Sequence, residues 1–357
     1  NNGKGSFKDL TSINAPELED IGMITDAIFV DIDNDNDEDL IVIGEFMGIN
    51  ILLNENGIFR LSRSELSNYK GWWQSIQSGD FNEDGLLDLV VGNHGLNSRF
   101  SASKEFPIRL YVNDFDLNDQ LDPVLTFKRE NGKFYPYDLR HNLIDQIKPL
   151  KKVFPDYNSF RSASIEDMFS SDQLDESLKL EVNTLSSSIF INKGNGRFDF
   201  YELPQVAQFS PIYSLLLKDF DLDGDIDIIA GGNLYNAKPE IGRYDASFGL
   251  FLENDGKGKF EVPDSGYGFK LKGEVFYYIF VFIFFVGCNS NIDESREINL
   301  KFLALDSEVT GVTFTNELKS KNDLNIIKYL YYYNGGGVAI GDINNDGLDD
   351  IFFSGNE

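Results

Sequence analysis

The stretch Asp31–Asp39 reads DIDNDNDED and places an oxygen-bearing side chain at its first, third, fifth and ninth positions. The same nine-residue pattern returns at Asp80 (DFNEDGLLD), Asp114 (DFDLNDQLD), Asp219 (DFDLDGDID) and Asp342 (DINNDGLDD). Alternate side chains on a tight loop, with a backbone carbonyl at the seventh position, can supply the roughly six to eight oxygen ligands that Ca²⁺ takes. A single acidic turn would be a weak signal, but five copies in one phase predict up to five Ca²⁺ sites.

The candidate ligands follow from this phase, with side chains at positions one, three, five and nine and a carbonyl at position seven. They are Asp31, Asp33, Asp35, Asp37 and Asp39; Asp80, Asn82, Asp84, Leu86 and Asp88; Asp114, Asp116, Asn118, Gln120 and Asp122; Asp219, Asp221, Asp223, Asp225 and Asp227; and Asp342, Asn344, Asp346, Leu348 and Asp350. The sixth position must turn sharply and favours a positive φ, which suits Gly85, Gly224 and Gly347. The alternative is a set of acidic turns that need no ion. It is disfavoured because crowded carboxylates are costly without a counter-charge.

The segments after the loops predict strands rather than helices. An EF-hand would carry Glu at the twelfth position and a helix on either side, and none of the five copies has that Glu. Each loop leads instead into a short apolar run that is typical of a buried strand. The runs are Leu40–Ile43, Leu89–Val91, Val124–Phe127, Ile228–Ala230 and Ile351–Phe353.

A second repeated pattern predicts β-hairpins. Asn1–Phe7 (NNGKGSF), Asn192–Phe198 (NKGNGRF) and Asn254–Phe260 (NDGKGKF) share one pattern, and Asn54–Phe59 (NENGIF) is a shorter version. Strand, Gly/Asn turn and strand form a hairpin signature. Cation loops alternating with hairpins indicate an all-β repeat fold, a β-propeller of small antiparallel blades.

The pattern divides the chain into five segments. Blades with three calcium loops are predicted over 1–134, a small helical insertion over 135–182, and blades with one calcium loop over 183–273. An apolar segment follows over 274–290, and a further blade with the fifth loop over 291–357. Within the insertion, Leu139, Leu143 and Ile147 share one helical face. Asp172–Leu178 is predicted to form a helix capped by Ser171.

The composition of the chain argues against several classes of binding partner and site. The chain has 357 residues and a net charge of −28, so nucleic-acid phosphate is disfavoured as a partner. Cys288 is the only cysteine, which excludes an intrachain disulfide. The two histidines, His94 and His141, are far apart in sequence and form no metal-binding or catalytic-triad pattern.

Val275–Gly287 (VFYYIFVFIFFVG) is an uninterrupted apolar run that is too short for a spanning helix. It has the length of a signal-peptide core, and the following Cys288 completes a stretch similar to a bacterial lipobox. Cys288 is therefore a candidate for lipid attachment, which would be the only link to a membrane. A buried propeller strand is the alternative.

Because the chain opens inside a hairpin motif and not at Met, a fragment or processed product is expected.

The residues resemble a known family at three places. These are Gly71–Arg99, which contains GWWQSIQSGDFNEDGLLDLVVGN, Gly231–Phe251 (GGNLYNAKPEIGRYDASFGLF) and Tyr331–Asn356 (YYYNGGGVAIGDINNDGLDDIFFSGN). They look like the FG-GAP/VCBS repeats of integrin-α-like propellers, in the bacterial form often found with an ASPIC/UnbV domain. A literal Gly-Ala-Pro motif is missing. In that family a loop like Gly335–Ala339 opens the propeller, so the region near Val275 is either a fusion junction or part of a permuted ring.

The resemblance implies an exported protein, at the cell surface or associated with the outer membrane of a Gram-negative bacterium. It would be a calcium-stabilised binding or adhesion module for an extracellular glycan or protein, without catalysis. Two alternatives stay open: a carbohydrate-active enzyme on a propeller scaffold, and a purely structural exported component.

Overall fold

A computed structural model describes residues 7–238, 241–263, 273–275, 338–341 and 350–353. The strands in chain order are β1 Met23–Val30, β2 Asp39–Met47, β3 Asn50–Asn54, β4 Phe59–Leu61, β5 Gly71–Trp72, β6 Ser75–Gly79, β7 Asp88–Gly92, β8 Ile108–Asn113, β9 Asp122–Lys128, β10 Phe134–Pro136, β11 Leu178–Val182, β12 Ser188–Asn192, β13 Phe198–Glu202, β14 Ile212–Lys218, β15 Asp227–Gly232, β16 Leu250–Asn254, β17 Phe260–Glu261, β18 Val338–Gly341 and β19 Asp350–Phe353. The α-helices are α1 Thr11–Asn14, α2 Arg140–Gln146, α3 Leu150–Val153, α4 Tyr157–Phe160, α5 Ile165–Met168 and α6 Ser171–Glu176. The all-β prediction is confirmed.

The strands form antiparallel sheets. The first has the order β1-β2-β3-β4, with β5 added beside β2, the second β6-β7-β12-β13, and the third β10-β9-β8-β11. The fourth has the order β14-β15-β16-β17, and β18 pairs with β19. All five apolar runs that follow the Asp-rich loops lie in strands, and the three later hairpin motifs join β3 to β4, β12 to β13 and β16 to β17. The Asn1–Phe7 hairpin lies almost wholly outside the described residues.

The first strands of four sheets lie side by side in the order β18, β1, β6, β14. Hydrogen bonds join these neighbours: Thr25 Oγ1 donates to the Trp73 carbonyl at 2.7 Å, and Ser75 Oγ donates to the Ile212 carbonyl at 2.9 Å. Apolar side chains fill the space between successive sheets, for example Ile41 with Val91 and Val90 with Ile228. The sheets therefore pack like blades, although the described residues do not form a closed ring.

An insertion separates β7 from β12, which are neighbours in the second sheet. It carries the whole third sheet together with α2–α6, and these share a core that includes Phe115, Phe134 and Ile165. The predicted helical stretch 135–182 contains all five of these helices. Its first strand, β10, and its last, β11, belong to the same sheet as β8 and β9, so the third Asp-rich loop lies on the insertion. Pairing of β8 with β11 brings together residues about 70 positions apart, and no local pattern indicates such a pairing.

Two details of the helix prediction are corrected. Leu139 precedes α2 and is exposed, while Leu143 and Ile147 are buried, so the predicted apolar face lacks its first member. Helix α6 begins at Ser171 and ends at Glu176, because Ser170 is the N-cap and forms a reciprocal capping box with Gln173.

Trp72 and Trp73 point to opposite sides of the chain and both are fully buried, in different cores. Within the described ranges, every helix is too short or too polar to cross a bilayer. Of the apolar segment, only Val275 lies in the described part of the chain; its N–H donates to the Gly232 carbonyl at 3.1 Å. Cys288 and the signal or strand alternatives lie outside it.

Candidate metal centres

Each Asp-rich loop joins the first two strands that pair in its sheet: β1 to β2, β6 to β7, β8 to β9, β14 to β15, and β18 to β19. In all five the ninth residue is the first residue of the second strand, so the end of the loop is fixed by the sheet ladder. Of the predicted ligands in the fifth loop, only Asp350 lies within the described residues. The geometry below therefore concerns the first four loops.

The first residue of each loop organises the turn. In the first loop the Asp31 carboxylate accepts the backbone N–H of Asp35 at 3.0 Å and of Asn36 at 2.9 Å. Asp80 and Asp114 bind the same two positions of their own loops. Asp219 differs slightly, since it binds the N–H of Leu222 and Gly224. The fifth side chain in turn accepts the N–H of the seventh residue, as Asp84 does from Leu86 at 3.0 Å.

Positive φ occurs at two positions of each loop. The predicted one, position six, has φ from 65° at Asp119 to 107° at Gly224. The second, position four, was not foreseen from the sequence. It is Asn34, Glu83, Leu117 and Leu222 in the four loops, with φ between 57° and 67°. Leu117 and Leu222 are each 85% exposed, so packing does not explain the choice of leucine at these positions.

Carboxylates converge in three of the loops. Ligand atoms of Asp31, Asp33 and Asp39 lie within 4.8 Å of one another, as do those of the corresponding residues in the third and fourth loops. These residues are Asp114, Asp116 and Asp122, and Asp219, Asp221 and Asp227. The second loop has Asn82 at its third position, and the Asn82 amide donates to Asp84 at 3.0 Å. Every candidate side-chain ligand is therefore an oxygen donor, the type that hard cations such as Ca²⁺ prefer.

One atom of the third loop lacks any hydrogen-bond partner. Asp116 Oδ1 is shielded from solvent and accepts no hydrogen bond. An unpaired buried carboxylate oxygen is costly, and a cation within the same cluster would satisfy it. The donor set and this oxygen fit a bound Ca²⁺ ion.

The ninth aspartate is the most buried member of each loop. Burial raises the pKa of Asp39 to about 7, of Asp88 to about 6 and of Asp122 to about 6, and burial also raises the pKa of Asp227. Neighbouring carboxylates raise these pKa values further, while backbone N–H donors oppose the shift. A carboxylate in this setting gains from a nearby cation, which offsets both the burial and the repulsion.

An asparagine at the end of the third strand holds this aspartate, a role that the sequence analysis missed. The N–H groups of Asn54, Asn192 and Asn254 donate to Asp39, Asp88 and Asp227 at 2.8, 2.7 and 3.1 Å. Their side-chain oxygens accept an N–H from the glycine turn that follows, as Asn54 does from Gly57 at 2.7 Å. The asparagine that recurs in the hairpin motifs is the sequence feature from which this role could have been predicted.

Two of these asparagines, Asn192 and Asn254, also join adjacent sheets. Asn192 donates to the Ile32 carbonyl in the first loop at 3.0 Å, and Asn254 donates to the Phe81 carbonyl in the second loop at 2.9 Å. On the insertion, the corresponding carbonyl of Phe115 accepts from Gln173 Nε2 of α6 at 2.9 Å. Each of these three loops is thus supported by a neighbouring element through its second residue.

The remaining candidate residues take packing roles. His94 is buried against Trp72, Phe100 and Tyr244, and burial lowers its pKa to about 3. His141 is exposed, with Nδ1 2.9 Å from the Tyr157 hydroxyl.

Residues 31–91 match the family model of the FG-GAP-like repeat. The chain therefore contains an FG-GAP-like repeat over these residues. The matched FG-GAP segment runs from the first residue of the first loop to β7, just after the second loop, and so includes both loops and the hairpin between them. A comparison with curated proteins gave no match.

Proposed function

We propose that this chain is a calcium-binding module of the β-propeller type that binds an extracellular glycan or protein. The observation that carries the metal part is the unpartnered Asp116 Oδ1 within a cluster of converging carboxylates. It is supported by the common framework of four described loops, each closed by a buried aspartate at the start of a strand. Up to five Ca²⁺ ions would be held, the fifth by the loop from Asp342 to Asp350.

Bound Ca²⁺ would supply positive charge and draw the carboxylates of one loop together. The chain's own residues do the rest. The first and fifth residues set the turn, and the ninth fixes it to the sheet. In the first two loops an asparagine of the neighbouring sheet binds the carbonyl of the second residue. Extracellular calcium sites can be as weak as roughly 10⁻⁴–10⁻³ M and still be filled, because the medium supplies the ion.

The proposal places the protein at the cell surface or on the outer membrane of a Gram-negative bacterium, with Cys288 as a possible lipid anchor. It includes no catalytic step, because the acidic residues that follow a pattern are used for cation ligation. A carbohydrate-active enzyme and a purely structural exported component are the competing functions. A screen for binding of surface glycans and extracellular proteins, together with an assay for glycan cleavage, separates all three.

Calorimetric titration of Ca²⁺ into chelator-treated protein tests the metal part. Several Ca²⁺ ions are expected to bind per chain, and D116A is expected to bind one fewer because its cluster loses the oxygen ligand at the third position. Asp145 is exposed and lies on the same insertion, so D145A is the matched control and should retain the full number. No measurable binding, or equal stoichiometry for D116A and the wild type, would contradict the assignment.

A further inference from the structure

The hairpin between β9 and β10 and the turn that precedes β8 enclose an open cleft outside the metal loops. It has a volume of about 570 Å³ and is lined by Phe106, Lys128, Arg129, Glu130 and Asn131. Both walls are fixed by hydrogen bonds. Arg129 N–H donates to the Lys133 carbonyl at 3.0 Å across the hairpin, and Ser103 N–H donates to the Phe106 carbonyl at 3.1 Å.

Arg129 is the best-positioned donor in the cleft. Its guanidinium carbon lies 3.9 Å from the ring centre of Tyr135 and 5.3 Å from that of Phe127, so two aromatic rings hold the group. Tyr135 is itself buried. Within the described residues Arg129 forms no ion pair with a carboxylate.

Two further polar side chains are held beside it. Asn131 Nδ2 donates to the Tyr135 hydroxyl at 2.8 Å, so the tyrosine under Arg129 also fixes the amide. Lys128 Nζ donates to the Glu105 carbonyl at 3.1 Å and has two N–H bonds left for a ligand. Lys128 likewise forms no ion pair with a carboxylate in the described part of the chain.

We propose that this cleft binds the carboxylate of an acidic sugar, a uronic-acid residue of a glycan. The planar guanidinium matches a carboxylate with two parallel hydrogen bonds. Exposed Glu130 and the Asn131 amide can bind ring hydroxyls, and Phe106 offers an apolar wall. The volume lies within the range of small-ligand sites. The inference rests on the proposed function as a binding module and names its ligand class.

The test is calorimetric titration with trigalacturonate, and with its methyl ester as the uncharged control. Both are measured in chelator and in Ca²⁺, because uronates can also bridge to calcium. The expected result is a Kd on the order of 1 mM or tighter for the acid. The wild type should bind the ester about tenfold more weakly than the acid, and R129Q should bind the acid about tenfold more weakly than the wild type does. The affinity of R129K for the acid should fall between those of R129Q and the wild type. R161Q removes an exposed arginine elsewhere on the insertion and should bind like the wild type.

Thermal melting of each variant confirms that it is folded. Absence of binding by the wild type, or equal binding of acid and ester, would overturn the proposal. Calcium-dependent binding that R129Q leaves unchanged would assign the sugar to the metal loops and would also overturn it. The proposed calcium sites are tested separately, because metal stoichiometry without uronate binding refutes only the cleft. If the chain binds uronate but binds no Ca²⁺ in its own titration, only the calcium sites are refuted.

Discussion

At the residue scale, one asparagine at the end of a strand connects that strand with the Asp-rich loop and with the glycine turn. This asparagine is Asn54, Asn192 or Asn254 in three of the sheets. Each donates its N–H to the ninth aspartate of its own sheet and uses its side chain for the following glycine turn. The sequence predicted the turn, since Asn and Gly at fixed spacing are a local signal. It could not predict the contacts of Asn192 with the Ile32 carbonyl or of Asn254 with the Phe81 carbonyl, because these depend on which sheets become neighbours.

Replacement of Asn192 by alanine tests this role. The change leaves the carbonyls of Ile32 and Leu87 and the N–H of Gly194 without their side-chain partner. Because the site is buried, the free energy of unfolding should fall by about 3 kcal/mol. Urea unfolding in chelator measures it. Asn158 is exposed in α4, so N158A serves as the control, and equal stability of the two variants would show that the contacts contribute little.

Asp26 lies in β1 and accepts the N–H of Ala27 and of Ile76, each at 2.9 Å. Burial raises its pKa to about 6, against the opposing effect of these two donors. The folded protein therefore favours the protonated carboxyl group. The stability that this preference contributes is fully present below the unfolded-state pKa of 3.8 and is lost as the pH rises through about 6.

D26N removes this titration. The unfolding free energy of the wild type relative to D26N should fall by up to about 3 kcal/mol between pH 4 and 6.5 in calcium-free buffer. Denaturant unfolding across this pH range measures the difference. Asp145 is exposed, so D145N should show no comparable pH-dependent difference from the wild type. A constant difference between wild type and D26N would refute the burial effect.

At the element scale, the insertion supports its Asp-rich loop with a helix. Gln173 of α6 donates to the Phe115 carbonyl, and the Phe115 ring stacks on Phe169 at 3.8 Å between ring centres. Asn113, just before the loop, donates to the Gln173 carbonyl at 2.9 Å. The position that a neighbouring sheet takes in the first two loops is therefore occupied here by helices.

Q173E should release α6 from the third loop. Glutamate retains an oxygen that can accept the Ser170 N–H in the capping box, but it loses the N–H that binds the Phe115 carbonyl. Amide hydrogen exchange is expected to become faster in residues 114–119 and in α6, by a local destabilisation of about 1–2 kcal/mol. S171E adds the same charge at an exposed neighbouring position. Equal exchange in Q173E and S171E would contradict the role of the Gln173 donor.

Strands and hairpins were predictable from short patterns, whereas the extent of the insertion was not. Runs such as Leu89–Val91 carry the apolar residues that their buried positions require, and period and composition are local signals. The third sheet combines β8, which lies before the helices, with β11, which lies after them. Within the loops, positions one, three, five, six and nine followed from the repeat, but the left-handed backbone at Leu117 and Leu222 did not.

At the scale of the whole molecule, β18 and β19 lie beside the first sheet, although they come last in the described chain. Ala339 and Phe352 pack with Leu40 and Phe29. A Cβ added at Gly341 would lie 2.9 Å from the Cβ of Phe29, so only glycine fits there without a shift. The two strands that flank the fifth Asp-rich loop therefore lie next to the first sheet. The fusion-junction and permuted-ring alternatives both remain predictions.

The central claim is that several Ca²⁺ ions bind to and stabilise this fold. The most direct measurement is thermal unfolding of the purified chain in EGTA and then in 10 mM Ca²⁺, with 10 mM Mg²⁺ as the control for ionic effects. At a Ca²⁺ concentration of roughly 10–100 times Kd, each occupied site should add about 1.4–2.7 kcal/mol to the free energy of unfolding. Several sites should then raise Tm by about 10 °C or more in Ca²⁺. An unchanged Tm, or the same increase in Mg²⁺, would show that the Asp-rich loops fold without a specific calcium ion.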